Sequence, residues 1–246
     1  GERIINSFRF YAVFQENEEY TVRWNSQELG TIVQPPPIGE KIAIAGHVWV
    51  IEDIDHKRHV VYCEQIKGKV PAYFGECPGD IHTKILERMR QVLREDTQYP
   101  YLMAHAAARL QQARHAARSS GVTEHTLICL GGDMWCLFPW MGTYAFLALE
   151  RFLKVRCAGS LKLSGLSASR PYFIQFKMQA DRETFFRVLQ EEARRPLDPM
   201  ELVYPKELPL FEKYDEFLPE SLVRKGFAYG VLAVEEMKAC IQQWNR

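Results

Sequence analysis

Apolar and polar positions alternate with a period of two through residues 8–14, 20–24, 29–33, 41–45, 47–54 and 60–66, the spacing of half-buried strands. Turn chemistry separates them: Glu16-Asn17-Glu18, Asn25-Ser26, the Pro35-Pro36-Pro37-Ile38-Gly39 run, Ala45-Gly46 and Asp55-His56-Lys57-Arg58. Six short strands with tight turns predict a small antiparallel β-barrel over residues 1–77, closed so that no edge is left unpaired. From Pro78 the period lengthens to that of a helix. Ile81, Ile85, Met89, Val92 and Leu93 share one face, and Lys84, Arg88 and Arg94 fall on the other. Tyr99-Pro100 breaks the run. A second helix over 101–119 offers Leu102, Ala106, Leu110, Ala113 and Ala117 for burial, projects Arg109, Arg114 and Arg118 elsewhere, and stops at Gly121.

The remainder of the predicted α+β domain, 78–246, is mixed. Residues 125–130 and 134–138 read as one hairpin, followed by a helix over 144–155. Residues 161–163 and 172–178 read as a second hairpin around a loop at 164–170, and Asp181 caps a helix to Arg194. This ββαββα order predicts an antiparallel sheet with helices on one face. Pro219-Glu220 starts another short helix, and the last helix carries Val234, Met237, Ile241 and Trp244 on one stripe.

The richest candidate chemistry lies between the first hairpin and its helix. Pro139 ends strand 134–138, on which alternation puts Met134, Cys136 and Phe138 on the side expected to be buried and Trp135 and Leu137 opposite. Gly142-Thr143 then offers a small residue and a hydroxyl cap. Helix-start N–H groups attract anions, and Trp140 stands beside them as a surface on which a base could stack. Trp140, Gly142 and Thr143 are therefore candidate nucleic-acid contacts. The alternative is that both tryptophans belong to the core and Thr143 merely caps.

Charge adds to this picture. The net charge is zero, but residues 78–180 carry 13 Lys/Arg against 7 Asp/Glu, between two mildly acidic ends. A basic middle points to a polyanion partner, with Lys84, Arg88, Arg94, Arg114, Arg118 and Arg170 as candidate phosphate contacts; solvated helix faces are the alternative. The six scattered cysteines contain no CxxC pair, which predicts reduced thiols and a cytoplasmic setting. No apolar run reaches the roughly 20 residues that span a bilayer, so no membrane partner is expected. The chain opens Gly-Glu-Arg rather than Met, which suggests a piece of something longer.

Catalytic and metal patterns are weak. There is no GxxxxGK[ST], GxGxxG or HExxH. Gly165-Leu166-Ser167-Ala168-Ser169 falls one residue short of a nucleophile elbow, and the cations inside Asp53–His59 oppose a metal site there.

Several segments together resemble a known family. They are the KGKVPAYFGE stretch (67–76), the basic helical pair, WCLFPWMGT (135–143) and KYDEFLPESLVRKGFA (213–228), with Leu29-Gly30, Ala45-Gly46, Trp49-Val50 and Ile54-Asp55 in the strands. The chain resembles the region that follows the motor domains in Lhr-like DEAD/DEAH-box helicases of superfamily 2. The resemblance implies an accessory part of an ATP-dependent DNA helicase, beside its own upstream RecA-like motor domains, that guides single-stranded nucleic acid, DNA more than RNA. It also implies that ATP and Mg belong to those motor domains, with no cofactor and no catalysis in this chain. The rival expectation is a protein-interaction module that docks on the motor or on a repair partner.

Overall fold

The computed structural model describes residues 19–33, 35–67 and 80–244. The chain forms two compact units, one of Gly1–Pro78 with Tyr204–Phe227 and one of Gly79–Val203 with Ala228–Arg246. It is a mixed α and β protein with one five-stranded sheet, one four-stranded antiparallel sheet and helices. Among the described residues no helix is long and apolar enough to cross a membrane.

The first unit contains β1 (Glu19–Trp24), β2 (Gln27–Val33), β3 (Lys41–Ile44), β4 (His47–Asp55) and β5 (Val60–Ile66), in the order β2-β1-β5-β4-β3. Period-two alternation drives Tyr20, Val22, Ile32, Ile42, Trp49, Ile51, Val61 and Cys63 into one core. One pairing departs from the expected antiparallel order. β5 lies parallel to β1, on the edge that β2 leaves free. The expected strand at 8–14 and the 67–76 segment, apart from Lys67, lie outside the described residues. The Asp55 turn is a hairpin device: Asp55 Oδ1 accepts from the N–H groups of Lys57 (3.0 Å) and Arg58 (3.1 Å). His56 Nδ1 is engaged by the Tyr20 hydroxyl at 3.0 Å. Within Tyr204–Phe227, Arg224 Nη1 donates to the carbonyls of Tyr204 (2.8 Å) and Glu207 (2.5 Å), bracing the helix Glu220–Gly226 against its own lead-in.

The second unit opens with helices α1 (Thr83–Arg94) and α2 (Ala104–Ser120), packed on each other. Gly121 ends α2 in the left-handed region at φ 71°. The buried side of α1 is turned away from the expected stripe. Thr83 and Leu86 are buried, while Ile85 is 60% and Met89 36% exposed. The reason is that polar Thr83 and Arg90 take inward positions that apolar periodicity assigns to solvent. In α2, Arg114 is buried rather than projecting, and Ala113 is exposed rather than buried. Arg114 lies one turn beyond Leu110, so it continues the Leu102–Ala106–Leu110 stripe.

Strands β6 (Leu127–Gly131), β7 (Met134–Leu137), β8 (Ser164–Ser169) and β9 (Phe173–Lys177) form a sheet in the order β6-β7-β9-β8. Leu127, Leu137, Ile174 and Phe176 are fully buried, and Phe176 stacks on Phe185 at 5.6 Å. The side of β7 carrying Leu137 is therefore buried, contrary to the expected face, although Cys136 is buried as well. The segment 164–170 was expected as a loop but is mostly strand β8, and the turn sits at Arg170-Pro171-Tyr172. Leu161 is instead the end of a helix. α3 (Thr143–Phe152) passes through a π turn at Leu153–Cys157 into α4 (Ala158–Leu161). α5 (Arg182–Arg194) is capped by Asp181, whose Oδ1 accepts from Thr184 N–H at 2.7 Å. α6 is the Glu220–Gly226 helix. α7 (Val234–Gln243) lays Val234, Met237 and Ile241 onto α3 and α5, and Trp244 meets Phe186.

Candidate nucleic-acid interface

The start of α3 is closed by the chain itself. The Gly142 N–H donates to Thr83 Oγ1 at 2.7 Å in a buried contact. The Thr143 N–H donates to the Ile81 carbonyl at 3.0 Å, and Thr143 Oγ1 accepts from the Ile81 N–H at 2.9 Å. Thr83 Oγ1 in turn donates to Glu236 Oε1. Gly142 is small because another stretch of backbone, the segment leading into α1, approaches it closely. A Cβ at Gly142 would stand 2.6 Å from the Ile81 oxygen and 2.7 Å from the Thr83 nitrogen. No phosphate fits where Ile81 and Thr83 already lie.

Trp140 is inside as well, at 9% exposure. Its backbone adopts φ 55°, a conformation costly for a bulky residue, and this bends the chain from β7 toward α3. The Arg90 guanidinium lies 5.8 Å from the Trp140 ring, and Arg90 Nε donates to the Thr123 carbonyl at 2.7 Å. The Trp140–Gly142–Thr143 constellation is thus a packing junction: Trp140 is core, Trp135 is half-buried, and Gly142 rather than Thr143 stands at the cap of α3, the Thr143 hydroxyl serving the Ile81 N–H instead.

The candidate cations separate into held and free. Arg88 makes a two-pronged pair with Glu95, at 3.0 and 3.2 Å, and donates to the Tyr99 hydroxyl at 2.9 Å. Arg94 pairs with Glu124 at 3.1 Å and Arg118 with Asp96 at 2.5 Å. Hydrogen bonds from Tyr99 and then Arg88 hold the Glu95 carboxyl below its usual range, and Arg118 does the same to Asp96. Arg114 is 1% exposed; its Nε and Nη2 donate to the Val92 (2.9 Å) and Thr97 (3.0 Å) carbonyls, and it lies 5.9 Å from the Tyr99 ring. It ties α2 to the end of α1. Arg170 Nε meets buried Glu150 Oε2 at 2.8 Å, while Lys154 takes Oε1 at 3.1 Å. Lys84 is exposed and makes no ion pair among the described residues, and the same is true of Arg109.

Between α1 and α2 lies an open groove of about 380 Å³, floored by Val92, Leu102, Ala106 and Leu110 and walled by Arg88 and Tyr99. Tyr101 stands at its rim, 76% exposed, with its ring 5.5 Å from that of Tyr99 and tilted by 33°. Tyr99 and Tyr101 flank Pro100, a break that is plain in the sequence, but only the packing shows that one ring is left in solvent. Among the described residues no group of three or more His, Cys, Asp or Glu is placed to hold a metal ion. No family model matches the chain, and neither a curated protein nor a solved structure is significantly similar to it.

Proposed function

We propose that this chain is a non-catalytic accessory region of an ATP-dependent DNA helicase of the Lhr-like kind, which guides single-stranded nucleic acid beside the RecA-like motor domains. In this reading the N-terminal sheet is part of a small barrel, and the second unit is a ββαββα-type domain with its helical pair toward the strand. ATP and Mg act on the motor domains and not here. The observation that supports it best is the composition of α2, with three arginines, two histidines and no Asp or Glu in 17 residues, of which Arg109 is exposed without an ion pair among the described residues while Arg114 is buried and Arg118 is paired with Asp96. Such a helix attracts a polyanion regardless of its sequence. A docking module is the second reading, favoured by exposed Ile85 and Met103 (73%) on the same helical pair.

Fluorescence anisotropy with labelled single-stranded DNA and RNA tests the first reading. If about 3–5 phosphates are neutralised, log K against log salt falls with a slope near −2 to −3.5. DNA is expected to bind more tightly than RNA. Absence of binding at low salt, or binding indifferent to salt, assigns the chain to protein docking.

A further inference from the structure

The groove between α1 and α2 combines features that the closed start of α3 lacks. It is open, its floor is apolar, and its rim carries an aromatic ring with no covering neighbour. Tyr99 is held in place from both sides: its hydroxyl bonds Glu95 and accepts from Arg88, and the Arg114 guanidinium sits over its ring. Tyr101 therefore stands beside a fixed wall rather than a mobile one. The charge around the groove is one-sided. α2 has no carboxylate, Glu87 is the only one on α1, and Glu95 and Asp96 just beyond α1 are already paired with Arg88 and Arg118. The same two helices carry two exposed cations without ion-pair partners among the described residues: Lys84, one turn before Arg88 on α1, and Arg109, next to Leu110 on α2.

The geometry points to this groove as the base-binding surface of the chain: a base of single-stranded nucleic acid stacks on Tyr101 while Lys84 and Arg109 meet the flanking phosphates. The inference rests on the accessory reading above and moves its contact from Trp140 to Tyr101. Aromatic stacking tolerates every base, so the site reads a strand without reading its sequence. An acidic, apolar protein segment would also suit the charge, and the peptide arm of the test separates it from a strand.

The test uses the intact 246-residue chain, a labelled oligothymidylate, and an abasic strand of equal length and charge. The wild type is expected to bind the base-bearing strand more tightly than the abasic one. Tyr101→Ala weakens oligothymidylate binding about tenfold or more and leaves the abasic strand unaffected. Tyr101→Phe keeps the binding, and neither variant shifts the melting temperature, since the ring is exposed. Lys84→Ala and Arg109→Ala each flatten the salt slope by about 0.7 on both strands. If Tyr101→Ala binds oligothymidylate like the wild type, the groove is not the site, while the accessory reading stands. Equal losses on both strands, or a lowered melting temperature, make Tyr101 structural and overturn the inference. A wild type that ignores both strands but binds a glutamate-rich apolar peptide overturns both readings.

Discussion

Thr83 is the test of whether the start of α3 is closed by the chain's own backbone. Its hydroxyl accepts from the buried Gly142 N–H at 2.7 Å and donates to Glu236. Thr83→Val preserves shape and β-branching but removes the acceptor, leaving the Gly142 N–H buried between Ile81 and residue 83 with nothing to receive it. An unsatisfied buried donor costs about 1–3 kcal/mol, more than the typical net worth of the bond itself. Glu236 adds little, because its side chain is otherwise exposed to water. In a chain of this size about 2 kcal/mol lowers the melting temperature by roughly 4–8 °C. Thr83→Ser keeps the acceptor and is expected to recover most of that loss. Gly142→Ala probes the same contact from the other side. Its φ of −65° suits alanine, so any destabilisation there comes from the clash with Ile81 and Thr83. Calorimetry gives the melting temperature, and hydrogen exchange over residues 139–146 reports whether the Gly142 amide opens. If Thr83→Val melts with the wild type and its amide protection is unchanged, the closed helix start is wrong, and an anion site at Thr143 becomes available again.

Two further outcomes follow from the packing. Trp140→Ala removes a buried indole together with its contact to Arg90, and is expected to destabilise by about 3–5 kcal/mol in denaturant titrations; nucleic-acid binding by the protein that remains folded should be unaltered, and a selective binding loss without destabilisation would return Trp140 to the interface. Alkylation at neutral pH should modify exposed Cys129 before Cys63 and Cys136, whose thiols burial pushes up to about 11, and before Cys157, also raised by burial; peptide mapping with and without denaturant reads the order.

The strands of the first unit were legible because period-two alternation, broken by Asn-Ser, Ala-Gly and Asp-rich turns, states both position and inward face, and Val22, Ile42, Trp49 and Ile51 are buried accordingly. Helices α5 and α7 were legible for a similar reason: Asp181 marks a start, and the Val234–Met237–Ile241 stripe states a face. The parallel seam between β1 and β5 was not, since pairing partners depend on which edges remain free once the hairpins form. The inward face of α1 was misread because a polar side chain drawn inward and satisfied by hydrogen bonds looks like a solvent-facing one in a hydropathy pattern; buried Thr83 and half-buried Arg90 are such residues. Arg114 is the same case in α2.

Residue types alone likewise supplied a helix start, a glycine and a tryptophan close together, and each was placed where expected in the chain. What occupies the space in front of them comes from Ile81 and Thr83, some sixty residues away. Sequence determines which groups can attract a phosphate or stack a base. Tertiary structure decides which of them still face water. Buried hydrogen bonds and aromatic packing stabilise the fold, so they draw inward the same side chains that could otherwise serve a ligand, leaving Tyr101, Lys84 and Arg109 at the surface and Trp140 inside.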